Sequence, residues 1–429
     1  MELGSASRKS SWLVLAVSLL ICAGFWRWAE TVLVPANTVA ARTQGIPIGS
    51  NSDLYPRWLG ARELLLHHRD PYSAEVTRDI QKGFYGRPLD PQNPSDPRDQ
   101  VAFAYPLYVI FLLAPTVTLP FAVVREATQW LLLLGIAASV PLWMRAAGFR
   151  ARWMLVVSGM LLTMGSYPAV LEFHMQNLAA LVALLLALAS AALVRNWLLL
   201  SGCLLALSTI KPQLSWLFVL CFLLWAAGRW RDRKRLVWGF VGMLLGLMLG
   251  AELLSPHWIG EFITTVRNYQ AYTANPSFLQ AFFPAILARV VGAILVGMLL
   301  FFCWRWKAVE AGSRPFAWSL AWVATVTLIL VPVSAYNQCL LIPALVLLLA
   351  ESAHTLKAGR VPRALFKGVI ACQGWQWSTA LILAVCSLFM PAEQLWTVAR
   401  APAYTLLALV PITFLTLLAS TFALQIVAE

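Results

Sequence analysis

Apolar residues in this chain come in runs long enough to cross a bilayer, such as Leu178 to Val194 and Leu236 to Ala251. Repeated runs of that length read as spanning helices, because in lipid every backbone N–H and C=O needs a partner within the element. Composition agrees: 60% of the residues are hydrophobic, 12% are charged and the mean hydropathy is +0.72. A soluble domain carries roughly 25% charged residues, so a soluble globular fold is excluded. The sequence predicts an all-α integral membrane protein, and its 24 Gly, 24 Pro and 20 Trp suit helices that pack closely, kink and anchor at both interfaces.

The net charge of +13 raises nucleic acid as a partner, but its distribution argues for membrane lipids instead. Positive charges cluster in short segments between apolar runs: Arg145, Arg150 and Arg152; Arg229, Arg231, Arg233, Lys234 and Arg235; Arg305 and Lys307; Lys357, Arg360, Arg363 and Lys367. This is the positive-inside pattern, which places these segments in the cytoplasm and predicts no nucleic-acid partner. The seven cysteines are scattered without a CxxC spacing, so neither a structural zinc site nor a disulfide framework is indicated.

Residues 12 to 34 follow Arg8 and Lys9. They are too long for a signal-peptide core and lack a small-residue cleavage site, so an uncleaved first helix is expected. It would deliver residues 36 to 103, a first extracytoplasmic loop holding eight of the nineteen acidic residues, to the outside. From 104 to 144 the chain must return, through a re-entrant or broken piece near Pro106, Pro115 and Pro120 and then a helix over 126–144. Crossings at 153–171, 178–194, 197–210, 213–228, 236–254, 282–302, 316–332, 339–351, 368–390 and 402–426 follow, giving about twelve, with both termini inside. The expected organisation is one transmembrane domain over 1–429, with outer loops at 36–103 and 255–281.

This alternation gathers the polar clusters on one face: SNSDLYPRW at 50–58, EFHMQN at 172–177, KPQ at 211–213 and SAYNQ at 334–338. The 255–281 segment, with His257, Glu261, Arg267, Tyr269 and Tyr272, falls on the same side. Ser52 is a competent N-cap, and Leu54, Trp58, Ala61 and Leu65 share one helical face, so an amphipathic helix in the outer interface is expected. Asp53 would lie at its first turn, where a carboxylate is favoured by the helix dipole and can accept a proton; the plain alternative is capping alone. Lys211 interrupts an apolar hairpin and either snorkels to the surface or meets an anion, for which phosphate is the natural partner. Glu172, His174, Gln176 and Asn177 are either solvated loop residues or hydrogen-bonding groups for sugar hydroxyls, and the same choice applies to Tyr336, Asn337 and Gln338.

DPQNPSDPRD at 90–99 reads as a mobile loop rather than a metal site. No DxD, HExxH, P-loop or GxSxG motif occurs, which removes support from hydrolase and nucleotide-driven pump readings. No internal repeat is evident, which weakens a secondary-transporter reading.

Ordered along the chain are Ser52-Asp53-Leu54-Tyr55, HHRDPY at 67–72, FAYPLY at 103–108, MQN at 175–177, STIKPQ at 208–213 and YNQCLLIP at 336–343. In this order they resemble glycosyltransferase family 87, polyprenyl-phosphate-mannose-dependent mannosyltransferases of the GT-C superfamily. The resemblance implies a GT-C type polytopic bundle in the cytoplasmic (inner) membrane, its active site facing outward. It implies transfer of a hexose, mannose in the family, from a polyprenyl-phosphate sugar donor to a lipid or glycan acceptor with inversion. Asp53 maps to the base; Lys211 and Arg57 are expected to hold the donor phosphate, and His174, Gln176, Asn177, Tyr336 and Asn337 to line the sugar site. No cofactor and no obligatory metal are expected. The rivals are a transporter or flippase for a lipid-linked sugar and a non-catalytic scaffold.

Overall fold

The computed structural model describes residues 8–43, 49–50, 52–90, 92–93, 96–273 and 275–424. Asn51, three positions of the 90–99 segment (91, 94 and 95) and the end of the expected 402–426 helix lie outside the described residues. The described chain is helical throughout, with one isolated bridge between Ser277 and Pro332.

The first helix, α1 (Arg8–Trp28), passes through one π-helical turn, Ala29–Leu33, into α2 (Val34–Thr43). A single apolar rod therefore continues to Thr43, well past residue 34. Beyond it come α3 (Tyr55–His67) and α4 (Ala74–Tyr85), which pack on each other. A short helical piece, Leu107–Thr116, contains α5 (Ile110–Leu113) and precedes α6 (Phe121–Ala146). This matches the broken piece and long helix expected over 104–144, with Pro120 setting the start of α6 because proline fits a helix N-terminus but not its interior.

One predicted helix is two. Instead of a continuous span over 153–171, α7 (Trp153–Met164) and α8 (Tyr167–Met175) meet at a 59° bend. Gly165 and Ser166 break the hydrogen-bond ladder, and Pro168 can only begin a new helix there. Next are α9 (Ala179–Val194), α10 (Leu198–Leu207), α11 (Pro212–Gly228) and α12 (Trp230–Leu254). The basic segment 229–235 is thus the first turns of α12 rather than a loop. Similarly α13 (Trp258–Thr273) and α14 (Phe278–Phe282) make most of the 255–281 segment helical. The remainder is α15 (Ala285–Arg305), α16 (Arg314–Leu330), α17 (Ile342–Ala350), α18 (Ser352–Lys357), α19 (Arg360–Cys386), α20 (Ala392–Leu395) and α21 (Leu406–Ala423).

Among the described residues six helices are long and apolar enough to cross a membrane, or seven if the bent α7–α8 pair counts as one span. Other apolar helices, α9, α11 and α16 among them, are only 10–17 residues long. At 1.5 Å per residue these fall short of a bilayer core of about 30 Å. They are instead the most deeply packed parts of the molecule: all of α16 from Phe316 to Ile329 is buried.

Close helix contact depends on small residues, as expected where lipid supplies no hydrophobic drive between helices. Along the α10–α12 seam, a Cβ on Gly202 would fall against the carbonyl oxygen of Leu236, and one on Gly239 against that of Leu199. This seam holds α10, and with it the turn that carries Lys211.

Candidate active site

The end of α8 and the starts of α3 and α9 meet at Asp53. It precedes α3 rather than sitting in its first turn: the helix begins at Tyr55, and the Ser52 hydroxyl accepts from the Leu54 N–H at 3.3 Å. The Asp53 N–H donates to the Met175 carbonyl at the end of α8 (2.7 Å), which ties the loop to the α8–α9 turn. Nor is α3 an exposed amphipathic helix. Pro56 to Ala61, Glu63 and Leu64 are all buried, because α4 and the 101–117 segment cover the face expected to meet water.

At the end of α8, Gln176 adopts a left-handed conformation (φ 48°), and the chain reverses into α9. The reversal aims Asn177 inward. Its Nδ2 donates to the Asp53 carboxylate at 2.7 Å, while its Oδ1 accepts from the Lys211 ammonium at 2.8 Å and from the Ala179 N–H at 3.0 Å. Two donors on one oxygen fix which way the amide faces. The Asn177 side chain therefore satisfies the first N–H of α9 and links carboxylate to cation in one step.

Lys211 stands between α10 and α11 outside the helical region (φ −127°, ψ 77°), as Pro212 at the start of α11 disfavours a helical residue before it. It does not snorkel: only 6% of it is exposed. Its ammonium also donates to the Asn337 Oδ1 at 3.1 Å and lies 4.8 Å from the centre of the Tyr336 ring. Asn337 is carried on a 3-10 turn, Ala335–Leu341, pinned by the Val333 N–H to the Pro276 carbonyl (3.0 Å).

Arg57 is buried one turn into α3. Its guanidinium donates to the Asp53 carbonyl at 2.7 Å and stacks over Tyr105 at 4.4 Å. Its Nε has no hydrogen-bond partner. Burial pushes the Tyr105 phenol up to about 12, so it stays a donor at neutral pH.

The structure thus brings Asp53, Arg57, Asn177, Lys211, Tyr336 and Asn337 together and separates two others. His174 faces Glu30 at 3.4 Å and packs against Trp26 and Phe173, on the α1 side of α8. Gln176 is buried, but its side chain folds back onto the Phe173 carbonyl. Glu172 is wholly buried and accepts from the Ala180 N–H at 2.9 Å, so it is no solvated loop residue. Sequence reasoning passed over Asp99 and Tyr105; the FAYPLY motif was the available signal for the latter. Among the described residues no group of three His, Cys, Asp or Glu side chains is placed to hold a metal ion.

A cavity of about 280 Å³ adjoins the 335–341 turn, lined mainly by apolar residues including Ile136, Val140, Ala169, Cys339, Leu345 and Val369.

Many apolar helices and a buried carboxylate–amide–ammonium network at their ends define a multi-pass helical membrane protein with an enzyme-like site. The chain belongs to glycosyltransferase family 87, whose family model matches residues 103–332. That stretch includes Asn177 and Lys211; Asp53, Tyr336 and Asn337 lie outside it. No curated protein and no solved structure matches the chain. It is a membrane glycosyltransferase.

Proposed function

We propose that this glycosyltransferase transfers a hexose, mannose by its resemblance, from a polyprenyl-phosphate carrier to a lipid or glycan acceptor, inverting the anomeric centre. The reading includes a GT-C topology in the cytoplasmic membrane, with the site on the extracytoplasmic face. The observation that carries it is the chain of hydrogen bonds from Asp53 through Asn177 to Lys211. One end is a carboxylate able to take a proton. The other is a cation suited to a leaving phosphate.

In the proposed step, the acceptor hydroxyl gives its proton to the Asp53 carboxylate as its oxygen attacks the anomeric carbon. The bond from that carbon to the phosphate oxygen breaks, and the electron pair leaves with the polyprenyl phosphate. Lys211 and Arg57 stabilise the charge on the departing phosphate, while Tyr336 and Asn337 flank the sugar. The apolar cavity beside the 335–341 turn supports a site that handles a greasy carrier. A flippase would need polar side chains along the translocation path; the gathering of these at helix ends favours transfer.

The test is purified protein with a short-chain polyprenyl-phosphate mannose and a mixed membrane-lipid acceptor extract, read by mass spectrometry with Asp53→Asn as control. A new hexose adduct that disappears in the variant supports the reading. An adduct of equal yield from Asp53→Asn would remove Asp53 as base, and no donor binding would bring the transporter or non-catalytic scaffold reading to the lead.

A further inference from the structure

A second group of polar side chains lies beside Asp53. The backbone at Val101 has φ 45°, a left-handed conformation that a β-branched residue adopts only when its surroundings enforce it. The enforcing contacts are all present. The Asp99 carboxylate accepts from the Val101 N–H at 2.9 Å, and the Tyr85 hydroxyl donates to the Asp99 carbonyl at 2.8 Å. Gln81 donates to the Gln100 side chain at 2.9 Å. Strain held this firmly, next to a candidate active site, fixes where a carboxylate points.

The Tyr269 hydroxyl is an electrostatic neighbour of the Asp99 carboxyl, and the Tyr269 and Tyr272 rings stand 5.4 Å apart. All three side chains are half-buried and so reachable from solvent. The base of α13 is anchored through Trp258, whose ring meets Tyr108 edge-on at 5.8 Å. Asp99 and Tyr269 both lie within electrostatic reach of Asp53 and Arg57, and Lys211 shares those two neighbours. Asp53 and Arg57 are therefore common to two polar groups, one built around Lys211 and the other around Asp99. Burial raises the affinity of the Asp99 carboxyl for its proton.

We propose that Asp99, Tyr269 and Tyr272 form the subsite for the acceptor's polyol head, a pyranoside, with Asp53 at its inner edge. This rests on the transferase reading above. A carboxylate with spare lone pairs and tyrosine rings with hydroxyl tips suit a sugar, which offers hydroxyl donors around an apolar ring face. An inverting transfer needs the acceptor hydroxyl next to its base and opposite the bond from the anomeric carbon to the phosphate, and the Asp99 group neighbours Asp53.

Binding is read without turnover, by saturation-transfer NMR of methyl α-mannopyranoside with the purified wild-type protein and with Asp99→Asn and Tyr269→Phe. Both variants keep the shape of the side chain, and asparagine can still accept from the Val101 N–H, so the fold is retained. The expected result is a signal in the wild type that weakens about tenfold in each variant. With octyl α-mannopyranoside as acceptor, the acceptor KM rises about tenfold while the donor KM moves less than about twofold. Wild-type binding by both variants, or no glycoside signal in the wild type, would overturn the subsite. A glycoside signal sensitive to both substitutions with no donor turnover in any protein would sink the transferase reading and leave the subsite standing.

Discussion

Asn177 donates to Asp53 across 2.7 Å and accepts from Lys211 across 2.8 Å, so one amide spaces the carboxylate from the cation. No ion pair forms between them directly. A direct pair would neutralise both groups; the amide keeps each oriented and available. The predictions below follow from this spacing and from the packing that maintains it.

Replacing Asn177 with Leu should lower kcat/KM for transfer by roughly 10–150-fold. Hydrogen bonds to charged groups contribute about 1.5–3 kcal/mol, and that converts directly to rate. Steady-state kinetics on purified protein is the check, and a loss below about threefold would mean Asn177 only satisfies the first N–H of α9.

Lys211→Met should raise the donor KM more than tenfold, and Lys211→Arg should not restore it. The ammonium sits between two amide oxygens and a tyrosine ring, a compact setting that a planar guanidinium does not fit. Isothermal titration with polyprenyl phosphate alone tests this without turnover.

His174→Ala should leave both KM values within about twofold of wild type. Its ring is held by Trp26, Phe173 and Glu30 rather than by the Asp53 group. A large rise in either KM would return His174 to the sugar site.

Stability should respond to Asp99→Asn with a defined sign. The folded-state pKa of Asp99 is raised from 3.8 by burial, so the favourable contribution of its neutral form is full below 3.8 and is lost as pH rises through the raised value. Asparagine carries no such charge. The variant should match wild type near about pH 4 and unfold at a higher temperature near about pH 8, as thermal scans across that range would show.

Gly202→Leu should destabilise by about 1–3 kcal/mol, because a side chain there meets the carbonyl of Leu236 and forces α10 from α12. A thermal midpoint equal to wild type would contradict the tight seam. Gly242, on the facing helix α12, where an added Cβ meets nothing within 4 Å, is the control.

The family and the membrane class were legible in the chain itself. Apolar run length is set by bilayer thickness, and motifs such as FAYPLY and KPQ are local strings, so both survive without tertiary information. The breaks were harder to read. Nothing in the 153–171 run competes with helix until Gly165, Ser166 and Pro168 are weighed together, and the 59° bend there turns the end of α8 toward Asp53.

What tertiary structure alone decided is which polar residues meet. Asp53 and Asn177 are 124 residues apart, Lys211 and Asn337 are 126 apart, and no spacing rule pairs them. His174 and Asn177, only three apart, part company because the chain reverses at Gln176. Sequence could name the titratable residues, since side-chain chemistry is local. Their geometry depends on the packing of distant helices, and so does the difference between a snorkelling lysine and one buried among amides.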